Sequence, residues 1–225
     1  ARTPRPGRSA APRVPEVPLS PERALARLRP VLFHATAYGS WESIRDSGLR
    51  TASKLLADAG RGPLAGLREK AIGVEVEGAP AELRDQRVLM RSRIETHLDG
   101  IGLGEWLGIL DERVHLFARQ KELTALLTRY QGEGQDLLVF DTPRLLASAG
   151  DRVEVATVVT AAPEPWASCR CRGRDTFVPL ALFEDSVEDI EEVTIVGGLE
   201  DVTSLVSRVV RHHPDRSTEV VWERP

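Results

Sequence analysis

The hydrophobic pattern changes period between Pro30 and Ala57. Val31-Leu32-Phe33-His34 is a short apolar run and predicts a strand. Tyr38-Gly39-Ser40 then reads as a turn, with Ser40 as N-cap of a helix from Trp41 to Ser47. Trp41 and Ile44 fall on one side of that helix, and Gly48 suits a left-handed C-cap. A second helix is expected from Ser53 to Ala59, then a loop from Gly60 to Gly66. Upstream, Ser20-Pro21-Glu22-Arg23 has the form of an N-cap followed by proline at the first helical position, and the helix should stop before Pro30.

Farther along, Ala81 to Leu98 reads as a helix carrying Arg84, Arg87 and Arg91 on one face. Gly104 to Leu110 is a short helix around Trp106. Val114 to Phe117 is a strand, and Gln120 to Arg129 a helix. Strands are expected at Asp136–Phe140, Val153–Val159, Thr176–Leu180, Val193–Val196 and Val220–Trp222, with a helix from Asp201 to Val210 between the last two. Helices dominate the first half and strands the second. That order argues for a single α+β domain, residues 19–225, on a mixed or antiparallel sheet rather than a doubly wound one.

Composition adds limits. The chain has 225 residues, 41% hydrophobic and 28% charged, within the range of ordinary globular proteins. No apolar run approaches the length that spans a bilayer, so no membrane association is expected. The N-terminus lacks the apolar stretch of a secretory signal, which points to the cytoplasm. Residues 1–18 are rich in Pro, Arg and Ala without a hydrophobic period and read as a disordered basic arm. In a chain of net charge -4, such a basic arm on an acidic body suits contact with nucleic acid, and equally a solvated tail. Cys169 and Cys171, one residue apart, are poorly placed for a disulfide, and no histidine lies near them in sequence to complete a metal site.

Phosphate-loop, H-E-x-x-H and G-x-S-x-G signatures are absent. Gly100 to Gly104 follows a helical segment and reads as a loop. His97 and His115 belong to no motif and read as structural, and His212-His213 as cations at a helix C-terminus. The candidate chemistry lies at His34 and Thr36, two residues apart on a strand end, whose side chains therefore point the same way. An imidazole and a hydroxyl in fixed geometry offer a donor and an acceptor to ribose hydroxyls. A strand-end histidine also serves as a hydrogen-bonded structural group, and the pattern alone leaves both roles open.

The longer phrase His34-Ala-Thr36-Ala-Tyr-Gly-Ser40-Trp41, with Ile44 and Ser47-Gly48-Leu49, resembles the opening of the DarT-like ADP-ribosyltransferases over about 25 residues. There a strand ends in H-x-T and leads through a loop to a helix ending in G-L. The same opening, with the central Arg84-Asp85-Gln86 and the late Asp175-Thr176-Phe177, is also similar to a bacterial domain family with R-D-Q and D-T-F at those points. The resemblance implies a split mixed or antiparallel sheet and NAD as co-substrate, with ADP-ribose transferred to a macromolecule: nucleic acid first, protein second. If it extends to biology it implies a toxin with an antitoxin or immunity partner. It assigns His34 and Thr36 to the adenosine-side ribose, Ser40 to the nicotinamide side, Arg84 to the pyrophosphate and Asp175 to the reacting ribose. Gln86 and Thr176 are the accompanying cofactor-binding residues. Two positions depart from the family: Ser40 stands where it has Asn, and Asp175 where it has Glu. Arg170, Arg172 and Arg174 would then flank the mouth of the site, ready for phosphates. The rival reading is the same fold kept as a nucleotide-sensing or protein-interaction module without turnover.

Overall fold

The computed structural model describes residues 19–64, 66–86, 94–160 and 172–225. The basic arm at 1–18 and both cysteines lie outside these. Local signals formed most of the expected elements. Helix α1 (Pro21–Leu28) starts on Ser20, whose side chain accepts from the Arg23 N–H. Strand β1 (Val31–Ala37) follows, then α2 (Trp41–Ser47) and α3 (Ala52–Asp58), the last capped by the Thr51 side chain. Farther on come α4 (Leu103–Asp111), β4 (Arg113–Phe117), α5 (Gln120–Arg129), β5 (Gln135–Asp141) and α6 (Thr142–Ala149). The chain closes with β6 (Val153–Ala156), β7 (Val178–Pro179), β8 (Glu192–Val196), α7 (Val202–Leu205), β9 (Val206–His212) and β10 (Thr218–Glu223).

Three expected elements differ. The helix predicted from Ala81 begins instead as a hairpin, β2 (Ile72–Val76) paired antiparallel with β3 (Ala79–Leu83). Its good helix formers are overridden by alternation: Val74, Val76 and Leu83 are buried with Leu56 of α3, a period-2 pattern that only a strand presents to one face. The helix predicted over Asp201–Val210 shortens to α7, because Val206 and Val209 are fully buried in β9. His212 is therefore the last residue of a strand and caps no helix. The strand predicted over Thr176–Leu180 shrinks to two residues between single 3-10 turns at Arg174–Thr176 and Leu180–Leu182.

Eight strands form one sheet in the order β10-β9-β5-β1-β4-β8-β6-β7, and these eight strands pair antiparallel throughout. The fold is thus mixed α/β on an antiparallel sheet. One face carries the main core, in which Leu32, Leu116, Leu138, Val193 and Ile195 pack under Leu25, Trp41, Ile44 and Leu145. The other face is covered in part by α4, whose Trp106 and Leu107 pack with Ala156 and Phe177. No helix among the described residues is long and apolar enough to cross a membrane.

Candidate functional site

The sheet opens at its centre. β1 pairs with β5 at seven successive positions, yet with β4 only at Phe33 opposite Phe117. Beyond that pair the imidazole of His34 reaches toward β4, its Nδ1 2.9 Å from the main-chain carbonyl of His115. A carbonyl only accepts, so Nδ1 carries the proton and Nε2 is left as an acceptor. Burial pushes the His34 pKa down to about 4, and the charges of Arg84 and His115 push the same way against the bond to the carbonyl. The ring is therefore neutral at neutral pH, which suits it to receive a hydroxyl proton.

A cavity of about 260 Å³ occupies the opening. His34, Ala35 and Thr36 line one side and Arg113, Val114 and His115 the other, while α2, the start of α3 and the β2–β3 hairpin close over it. Ser40 also lines it, through a change from the expected capping. The backbone of Ser40 is already helical (φ -77°, ψ -15°) and its side chain makes no cap bond. The buried Asp136 of β5 takes that role instead, its Oδ2 accepting from the Trp41 N–H at 3.0 Å. Ser40 is thereby left on the cavity wall with its hydroxyl not engaged in capping. Glycine at 48 is required by contact: its φ is +84°, and a Cβ there would come 2.6 Å from the Leu199 carbonyl. That close approach permits the Leu49–Leu199 bridge, which fixes the chain just after α2.

Four arginines reach the cavity wall, and their partners differ. Arg50 pairs with Asp58 and Glu77, at 3.1 and 2.6 Å. Arg68 pairs with Asp111 at 2.7 Å, and Arg113 with Glu154 at 2.7 Å. Arg84 has no carboxylate partner among the described residues. Its Nη2 donates to the Thr36 carbonyl at 2.7 Å and its Nη1 to Gln135 Oε1 at 3.0 Å, and the guanidinium lies 4.4 Å from the centre of the Tyr130 ring. Burial lowers its pKa, with Tyr130, Glu82, Asp85 and Glu133 acting in the other direction. A guanidinium stays charged under any such shift, so Arg84 is a part-buried cation held only by neutral groups.

His34, Thr36, Ser40 and Arg84 thus meet at one cavity, and the other three sequence candidates do not. Gln86 is spent on the fold: its Oε1 accepts from the Arg68 N–H at 3.1 Å, and its Nε2 faces Asp111. Asp175 and Thr176 line a separate pocket with Val155, Val158 and Phe183. Thr176 accepts the Gly173 N–H at 2.8 Å and so closes its own turn. The β7 strand into which they lead is four places from β1, about 19 Å at the usual ~4.8 Å per strand. Phe177 beside them packs near His115 and Trp106, on the sheet face opposite His34. The arginines expected at the mouth are engaged as well. Arg172 is buried and donates to the Val159 carbonyl, Arg174 pairs with Glu105 at 2.7 Å, and Arg170 lies outside the described residues.

His115, which reads from the sequence as structural, does hold structure, through partners the sequence did not indicate. Its carbonyl holds His34, while its ring, on the opposite face, donates to the Leu110 carbonyl and to Glu192. Burial opposes charge on this ring, but the Glu192 carboxylate and the two hydrogen bonds outweigh it and raise the pKa. Burial likewise opposes charge on Glu192, and the His115 imidazolium with the Thr160 donors overcomes it and lowers that pKa. Thr160 gives Glu192 both its N–H and its hydroxyl, each at 2.8 Å. The partners are 77 residues apart, so no local pattern signals the pair. Glu82 is a residue not foreseen; it lines the cavity, and its side chain makes no hydrogen bond or ion pair among the described residues.

A family model, the Family of unknown function (DUF7002), matches residues 30–206, and the chain belongs to that family. No curated protein matches it.

Proposed function

For this DUF7002 member we propose binding of a nucleotide pyrophosphate, NAD in the first instance, in the opening between β1 and β4, followed by transfer of ADP-ribose to a macromolecule. One observation carries the reading: among the described residues Arg84 alone of the cavity arginines has no carboxylate partner. A part-buried cation held by neutral groups favours a ligand anion, and the planar guanidinium fork matches two phosphate oxygens. His34 adds a neutral acceptor beside it, and Thr36 and Ser40 add hydroxyls, the set a ribose needs. Ser40 stands where the cavity joins a larger groove, so the end of the dinucleotide that reacts belongs there.

NAD supplies the bond to be broken, between the ribose C1′ and nicotinamide. The chain's part is to orient the ribose through His34, hold the phosphates through Arg84 and present negative charge to the oxocarbenium character at C1′. Glu82 is the carboxylate nearest this purpose, since it lines both the cavity and the groove. Asp175 lines neither.

The second reading, a nucleotide sensor without turnover, draws on Ser40 in place of the expected Asn and on the separation of Asp175 from the cavity. Titration with NAD in a calorimeter, together with nicotinamide release from labelled NAD, tests both. Binding that weakens in Arg84→Met and His34→Ala, with nicotinamide release, supports the transferase. Binding without release supports the sensor. Failure of NAD to bind the unsubstituted protein overturns both.

A further inference from the structure

The cavity continues past Ser40, Pro80, Ala81 and Glu82 into an open groove of about 670 Å³ between the Tyr38–Ser40 turn and the outer face of the β2–β3 hairpin. Its character is set by three side chains. Tyr38 is 45% exposed, unusual for so large a ring, and it is fixed from behind. Its hydroxyl bonds His213 Nδ1 at 3.0 Å, and the Arg211 guanidinium lies 5.2 Å from the ring centre. Gly134 leaves the ring its place, since a Cβ there would come within 2.6 Å of it. The ring is a rigid platform and not a swinging side chain.

Glu75 and Glu82 face the groove from the hairpin. The register sets Glu75 opposite Pro80 and Glu82 opposite Gly73, so the two carboxylates are diagonal neighbours on the outward face. Both are exposed, and neither makes an ion pair or side-chain hydrogen bond among the described residues. Arg61, also on the groove and also unpaired there, offsets one of the two charges. A phosphodiester strand entering here meets net negative charge. The arginines that the sequence offered to such a strand, Arg172 and Arg174, are engaged within the fold.

We infer that this groove receives a cationic protein segment, with an arginine or lysine side chain laid on Tyr38 and its charge met by Glu75 and Glu82. An aromatic face with carboxylates beside it attracts a cation twice, through the ring quadrupole and through Coulomb attraction. The inference rests on the nucleotide reading of the adjoining cavity only for the transfer step. There the C1′–N bond of NAD breaks with its electron pair leaving on nicotinamide. The acceptor nitrogen forms the new bond to C1′ and releases its proton to solvent.

The test is fluorescence anisotropy of a labelled arginine- and lysine-rich peptide with the full chain, with and without NAD, beside a labelled single-stranded oligonucleotide. The peptide should bind and weaken as salt rises. Glu75→Lys should cost about fivefold in affinity, and Tyr38→Ala about threefold. Tyr38→Phe, which keeps the ring but loses the hydroxyl bond to His213, should recover most of the affinity that Tyr38→Ala loses, and so separates loss of the aromatic face from a folding defect. No peptide binding, binding indifferent to Glu75→Lys, or binding of the oligonucleotide in place of the peptide overturns the inference. NAD binding measured on the same samples separates this failure from that of the nucleotide reading: retained NAD affinity without peptide binding removes the groove assignment alone.

Discussion

His34 and His115 are joined ring to main chain, Nδ1 of the first donating to the carbonyl of the second at 2.9 Å across the opening between β1 and β4. This bond fixes the tautomer of His34 and turns its other nitrogen into an acceptor. It also ties the cavity wall to a residue whose own ring is locked to Glu192 on the far face of the sheet. The two histidines are therefore coupled mechanically while their titrations run in opposite directions.

His34 has a depressed pKa, so the unfolded chain binds a proton at this residue where the folded one does not. Its contribution is complete above pH 6.5, the unfolded value, and is lost as pH falls from 6.5 toward 4. A shift of that size corresponds to roughly 3 kcal/mol at 1.36 kcal/mol per unit. Urea unfolding of His34→Gln at a series of pH values should show this slope flattened relative to the unsubstituted protein. An unchanged slope between pH 6.5 and 4 would assign the acid sensitivity elsewhere.

The His115–Glu192 pair has the reverse logic for its histidine. The raised His115 pKa gives stability present below 6.5 and lost as pH rises through the folded value, while the lowered Glu192 pKa gives stability present above 4.5 and lost in acid. Glu192→Gln leaves a buried imidazole and the Thr160 donors with a poorer partner and should cost about 3 kcal/mol. Denaturant midpoints of Glu192→Gln, of His115→Gln and of the double variant would measure the coupling; additivity would show the pair to be independent.

Arg84 and Arg68 make a controlled comparison on one wall. Arg84→Met removes the cation without a carboxylate and should weaken NAD about tenfold or more. Arg84→Lys keeps charge without the fork and should recover only part of that loss. Arg68→Met strands Asp111, to which Arg68 gives two bonds of 2.8 and 2.7 Å, and should lower thermal stability with little change in NAD affinity. Equal losses of affinity for the two methionine variants would mean that Arg84 is structural.

Asp175→Asn should leave NAD binding unchanged, since Asp175 lines a pocket that shares no residue with the His34 cavity. Calorimetric titration decides this directly. A large loss of affinity would require the late turn to reach the cavity after all.

Gly48→Ala sets a side chain against the Leu199 carbonyl at a φ of +84°. The expected loss is about 1–3 kcal/mol from backbone strain, more if the Leu49–Leu199 bridge parts. Thermal melting measures the loss, and NAD titration should weaken with it, because Gly48 and Leu49 both line the cavity.

Much of this was readable locally. Ser20 and Pro21 started α1, and Trp41 and Ile44 marked the buried side of α2, because caps and helical periodicity act within four residues. The phrase from His34 to Leu49 brought His34, Thr36 and Ser40 to one wall by the same short-range geometry. The β2–β3 hairpin escaped, since Ala79–Leu83 is rich in helix formers and declares itself a strand only when Val74 and Leu83 close over Leu56. Ser40 was read as a cap because the residue that caps α2, Asp136, lies 95 positions away.

The sequence by itself determined a strand, a turn and a helix that carry a histidine and two hydroxyls in register, because alternation and capping are properties of neighbours. Only the tertiary structure decided which cation stays uncompensated and which carboxylate stands near it. Arg68 finds Asp111 across 43 residues and Arg113 finds Glu154 across 41, while strand order carries Asp175 away from β1 and leaves Glu82 at the cavity. Charge pairing follows distance in space, and that distance is fixed by the order of strands in the sheet.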